Sequence, residues 1–258
     1  RSASAFGVAL VVGPALASVG GLRAVFAATA LLALLGMVVV AFLPKPQRFS
    51  REELSSGSGF QRSRLAQVLS IRSLNVMYLS IFFLHLTLMA VFVVVPTSLQ
   101  VEAGIALEQH AFVYLGALLC SVPGIYWLVQ GRRYMTRPMT NLLRSLGVLF
   151  TGLALLSAGQ WAPTLIGLCF FFTGFTALEA MLPSLASIYA PESARGTAMG
   201  VFASSQFIGV FFGGILGGAL LGSVGAVGVW AGMAALTVAW AALLSLSHLT
   251  SPDAVEVA

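Results

Sequence analysis

The chain has 258 residues, of which 59% are hydrophobic and only 8% charged, with a net charge of +5. A soluble domain carries about 25% charged residues, so this composition excludes a water-covered globular surface. Apolar runs of ~20 residues match the length that crosses a ~30 Å hydrocarbon core, and their continuity excludes the alternating strands of a β-barrel.

The fold class is therefore an all-α polytopic membrane protein. In chain order the predicted spans are Ser4–Gly21, Ala24–Leu43, Ser73–Gln100, Gln109–Val129, Met139–Gly159, Thr164–Tyr189, Gly196–Leu221 and Val227–His248. Between the second and third lies Pro44 to Arg72, a polar segment holding Lys45, Arg48, Arg51, Arg62, Arg64 and Arg72. Gln130 to Pro138 holds Arg132, Arg133 and Arg137. Both read as cytoplasmic, because cytoplasmic loops collect Lys and Arg. The alternate connections carry almost none, Arg23 being the exception. Both termini then face the cytoplasm. Basic residues gathered this way answer to a lipid bilayer and call for no nucleic acid. Cys120 and Cys169 lie inside apolar runs without metal-ligand spacing; they read as buried small residues, with no metal and no cofactor implied.

"GPALASVGGLRAVFAATALLAL" from Gly13 can be laid over "GGALLGSVGAVGVWAGMAALTV" from Gly217 without a gap. The offset of 204 residues contains six spans. A six-helix unit repeated in parallel is the architecture of the major facilitator superfamily. The first two spans then correspond to the end of a first unit, and the sequence is expected to cover helices 5 to 12 of twelve, about eight of the twelve. The expected organisation is residues 1–43 as the last two helices of an N-terminal six-helix bundle and 44–72 as a cytoplasmic linker. Residues 73–248 form a C-terminal six-helix bundle, and 249–258 a short cytoplasmic tail.

"LEAMLPSLASIYAPESARGTAMGVFASSQFIGVFFGGILGG", Leu178 to Gly218, resembles helices 10 and 11 of the YajR-like transporters, in the drug:proton antiporter branch of that superfamily. "FFLHLTLMAVFVVVPTSL", Phe82 to Leu99, resembles their helix 7. The helix-5 antiporter motif has Gly-Pro followed by Gly-Gly; here Gly13-Pro14 is followed by Ala17-Ser18, still small enough for close packing. The resemblance implies a secondary transporter in the bacterial inner membrane, exporting small amphipathic or lipophilic molecules in exchange for protons by alternating access. It implies a monomer when complete.

Few residues can carry chemistry. Glu179 is eleven residues from the Ala190 end of its span, ~16 Å at 1.5 Å per residue. An ionised carboxylate facing lipid there costs ~2.5–3.5 kcal/mol or more, so Glu179 faces a cavity or a partner, or is protonated. His85 is thirteen residues past Arg72, ~20 Å deep, and imidazole is the side chain that ordinarily titrates near neutral pH. In this superfamily helices 7 and 10 line the central cavity, so the resemblance implies that His85 and Glu179 approach one another. Gln206, beside Ser204 and Ser205, sits at a similar depth and must find a partner there. For each the plain alternative is a polar group that only fastens helices. His110, at the outer mouth of the fourth span, reads as interfacial.

Gly209, Gly213 and Gly217 are spaced by four, as are Gly214, Gly218 and Gly222; both stripes read as surfaces where backbones approach closely. Phe170, Phe171, Phe172 and Phe175 read as lipid- or cavity-facing bulk. An enzyme is not indicated, since no nucleophile or metal constellation is present in the sequence. A polar-metabolite carrier needs more fixed charge than Glu179 and His85 supply, although a metabolite transporter or a non-transporting receptor of the same fold stays open.

Overall fold

The computed structural model describes residues 2–42, 62–129 and 137–247, and in residues 2–22 few side chains beyond the backbone. Most of the Pro44–Arg72 linker, Arg132 and Arg133 of the Gln130–Pro138 connection and the tail after Ser247 lie outside the described residues. The described residues are helical, with no strand among them. Long apolar runs leave the backbone no water to bond with, and a helix satisfies every N–H and C=O internally.

The elements are α1 (Ser2–Phe42), α2 (Arg62–Ser70), α3 (Arg72–Val101), α4 (His110–Val129), α5 (Pro138–Leu156), α6 (Trp161–Tyr189), α7 (Arg195–Val224) and α8 (Ala226–Leu246). Among the described residues, seven helices are long and apolar enough to cross a membrane: Arg23–Phe42, Arg72–Val101, Leu107–Val129, Pro138–Leu156, Trp161–Tyr189, Glu192–Val224 and Ala226–Leu246. The predicted Ser4–Gly21 span is helical as well. The predicted boundary near residue 21 is a break inside α1, where Gly21 takes φ 63° and ψ −163°, a conformation that only glycine adopts without strain.

The chain divides into two units, Arg1–Arg62 and Ser63–Ala258. In the first, the helix beyond Arg23 exposes Phe26, Leu31, Leu32, Leu35, Met37 and Phe42. Gly13 and Pro14 lie on α1, but their packing falls outside the described side chains.

In the second unit α3 and α6 are the inner helices. The most extensive pairings are α3 with α7 and α5 with α6; α4 leans on α6, and α8 on α5, α3 and α7. Leu74, Met77, Ile81, Leu84, Ala90, Val91 and Leu99 of α3 are fully buried. On α5, Leu142, Leu146, Leu149 and Leu153 repeat every three or four residues and are likewise buried, the spacing of one helix face. Phe171 and Phe172 are completely buried and Phe175 nearly so. Of the lipid- or cavity-facing alternatives, the burial removes the lipid one for these three: an inner helix such as α6 turns them into neighbours, and of the four phenylalanines only Phe170 is left exposed. Cys120 is exposed and Cys169 half-buried, against the expectation of two buried thiols. Both line a cavity of about 520 Å³ between α4 and α6.

Two contacts tie α8 to α3. Trp240 of α8 donates its indole N–H to Ser80 of α3 at 3.0 Å, and Arg72 donates to the Leu246 carbonyl at 3.1 Å. That carbonyl is one that the end of α8 cannot satisfy within its own turn.

Candidate functional site

The three polar residues singled out in the sequence meet at one place, where α3, α6 and α7 converge. His85 is 6% exposed. Its Nδ1 lies 3.2 Å from the Ile81 carbonyl one turn earlier on α3. Its Nε2 lies 2.8 Å from the side-chain nitrogen of Gln206 on α7. Oε2 of Glu179 on α6 is 3.6 Å from the same Nε2. That oxygen is buried and makes no hydrogen bond among the described residues, while the Glu179 side chain as a whole keeps 22% exposure. Phe175 sets its ring edge-on to the imidazole, 5.7 Å between centres. The cluster thus has an aromatic ring against the imidazole and stays partly accessible at Glu179.

Sequence order does not explain why Gln206 reaches His85; the glycine seam does. A Cβ placed on Gly209 would strike the Phe82 carbonyl, and one on Gly213 the Leu86 carbonyl. On Gly217 it would lie 2.7 Å from the Ala90 Cα. The contacts advance together along both chains, so α3 and α7 run parallel, backbone against backbone, as small residues allow. Gln206 sits one turn before Gly209, and the seam holds its amide over His85. The second stripe behaves differently. A Cβ on Gly214, Gly218 or Gly222 meets nothing within 4 Å. These glycines project away from α3, so the expectation of a second close-packed surface is not met within this unit.

His110 stands at the first residue of α4 and is 5% exposed, because the turn before α4 folds over it. Its Nε2 meets the Ile105 carbonyl at 3.2 Å and its ring packs against Tyr114. Sequence reasoning also misses the α5–α6 seam. A Cβ on Gly152 would lie 2.5 Å from the Phe171 nitrogen, and one on Gly174 would lie 2.7 Å from Leu149. Gly167 and Gly174 are two helical turns apart on α6, a usable signal, but the partner Gly152 lies on another helix and no local spacing announces it.

A polar cluster in this setting can hold or pass a proton. An imidazole and a carboxyl share one approach, and the amide beside them has both a donor and an acceptor end.

No family model matches the chain. Among curated proteins it is similar to the inner membrane transport protein YajR of Escherichia coli (strain K12). That match is 31% identical over 242 residues, 93% of this chain and 53% of that protein. It is also similar to the uncharacterized transporter BU466 of Buchnera aphidicola subsp. Acyrthosiphon pisum, 31% identical over 82% of this chain and 54% of that protein. The matches support a YajR-like transporter family. An uncharacterized transporter of Buchnera aphidicola subsp. Baizongia pistaciae is 26% identical over 83% of this chain and 55% of that protein. The chain spans about half the length of the curated relatives it matches. With its span-length helices it is a multi-pass inner-membrane protein, all-α and consistent with part of a major facilitator fold.

Proposed function

We propose that this chain is part of a secondary active transporter that exports small amphipathic or lipophilic molecules in exchange for protons by alternating access, in the drug:proton antiporter branch of the major facilitator superfamily. The observation that carries the reading is the approach of His85 and Glu179 to 3.6 Å among helices that are otherwise apolar. Intramembrane ionisable groups mark proton relays and substrate paths. The scarcity of other fixed charge near them favours a substrate with much apolar surface.

Glu179→Gln tests the proposal in the full-length protein, in proteoliposomes with a lipophilic dye cation and an imposed pH gradient. The variant keeps size and hydrogen bonding but cannot titrate. We expect substrate-linked proton flux to fall at least tenfold while folding and dye binding persist, and Glu179→Asp to retain part of the flux. Normal flux in Glu179→Gln, with lost stability in Glu179→Leu, would assign Glu179 to fastening helices and overturn the reading. The same proposal puts both termini and the Pro44–Arg72 linker in the cytoplasm. A Ser56→Cys variant free of native cysteines should resist an impermeant thiol reagent added to intact cells; labelling from outside would reverse the topology.

A further inference from the structure

Gln206 does more than fill space beside the imidazole. We propose that it is a positioning residue: with the Ile81 carbonyl fixing His85 as the Nδ1–H tautomer, its amide occupies Nε2 and must release that nitrogen before Glu179 can exchange a proton with the ring. This rests on the proton-exchange reading above and assigns the control of that exchange.

The argument is one of donors and acceptors. Nδ1 lies 3.2 Å from the Ile81 carbonyl, which can only accept, so Nδ1 carries a hydrogen. A neutral imidazole carries one such hydrogen, which leaves Nε2 as a bare acceptor. The amide nitrogen of Gln206, 2.8 Å away, therefore donates to Nε2. Nε2 has a single in-plane lone pair, and the amide occupies it. Glu179 Oε2 waits 3.6 Å from the same atom without a hydrogen bond of its own. When Glu179 carries a proton, transfer breaks its O–H bond and forms the Nε2–H bond, and the electron pair stays on the carboxylate. The amide N–H cannot remain facing the new Nε2–H. It must turn its oxygen to the ring or move aside, so release of the amide precedes transfer.

The neighbours leave few competitors. Among the described residues, Glu179 of α6 is the titratable group facing His85, α7 contributes Gln206, and α8 carries no ionisable side chain. Gly209, against the Phe82 carbonyl, ties the position of the amide to the α3–α7 seam. A slide of one helix along the other would lift the amide from the ring.

Solid-state NMR on full-length protein in bilayers, labelled with ¹⁵N-histidine, ¹⁵N-glutamine and ¹³C-glutamate, tests this under conditions where the ring is neutral. We expect His85 to show a protonated Nδ1, a bare Nε2 and a close ¹⁵N contact from the Gln206 side chain. In Gln206→Met, Nδ1 should stay protonated while the Glu179 carboxyl resonance shifts as it takes the vacated Nε2. A protonated Nε2 with a bare Nδ1 in the wild type overturns the proposal, as does an unmoved Glu179 resonance in Gln206→Met. If that variant fails to assemble, the wild-type tautomer decides alone. The tautomer is read without transport, so its failure is distinct from normal flux in Glu179→Gln.

Discussion

Two faces of α7 carry glycines at the same four-residue spacing, and they do different things. Gly209, Gly213 and Gly217 are buried against the backbone of α3, whereas Gly214, Gly218 and Gly222 meet nothing within 4 Å. Residue type and spacing are the same, so the difference comes from what stands opposite. One turn before the buried stripe the contact changes character again: Gln206 of α7 meets His85 of α3 through side chains. A seam that admits no side chain and a site made of side chains thus share one helix pair.

The sharpest way to break this contrast is to add bulk to the seam. Gly213→Leu should do more damage than any other single change on α7. Overpacking costs ~1–3 kcal/mol and occasionally more, and here the clash is with backbone that cannot rotate away. The check is the yield of monodisperse protein and its Tm in detergent, and we expect both to collapse. Gly174→Leu should approach the same loss through the α5–α6 seam, where Leu149 and the Ser145 carbonyl stand in the way. A milder change is Trp240→Phe, which removes the indole donor to Ser80. It should cost ~1 kcal/mol for the hydrogen bond and a further contribution for the space the buried indole leaves, seen as a moderate fall in Tm with intact assembly. The smallest effects should come from the open face. Gly218→Leu and Leu216→Phe are expected to lie within ~0.5 kcal/mol of the wild type, as changes away from packed contacts do. If Gly218→Leu and Gly213→Leu are equally harmful, the distinction between the two stripes is wrong.

The approximate span lengths and the existence of glycine stripes on α7 are legible in the sequence. Continuous apolar runs and rare polar residues survive without any knowledge of neighbours. Which face of each helix packs is not legible. In water a helix declares its inner face by apolar periodicity, but lipid is as apolar as a protein core, and a helix such as α7 is apolar all round. Hence Gly214, Gly218 and Gly222 look like Gly209, Gly213 and Gly217 in the sequence, and Phe171 and Phe172 read as lipid- or cavity-facing alike. Gly152 escapes notice because its partners are on α6, and the burial of His110 escapes it because the covering turn at Ile105 leaves no sequence signature. The meeting of Gln206 with His85, 121 residues apart, follows from the register of the seam, which no local pattern encodes.

The central claim is that Glu179 gains and loses a proton as substrate comes and goes. Infrared difference spectroscopy on the full-length protein in bilayers, recorded on adding a transported lipophilic cation, tests it most directly. A protonated carboxyl has a C=O stretch well separated from the carboxylate bands. The account expects a carboxylic-acid band that changes on substrate addition and is missing from the spectrum of Glu179→Gln. A substrate-induced spectrum that is the same in the wild type and in Glu179→Gln, with substrate still bound, would contradict it.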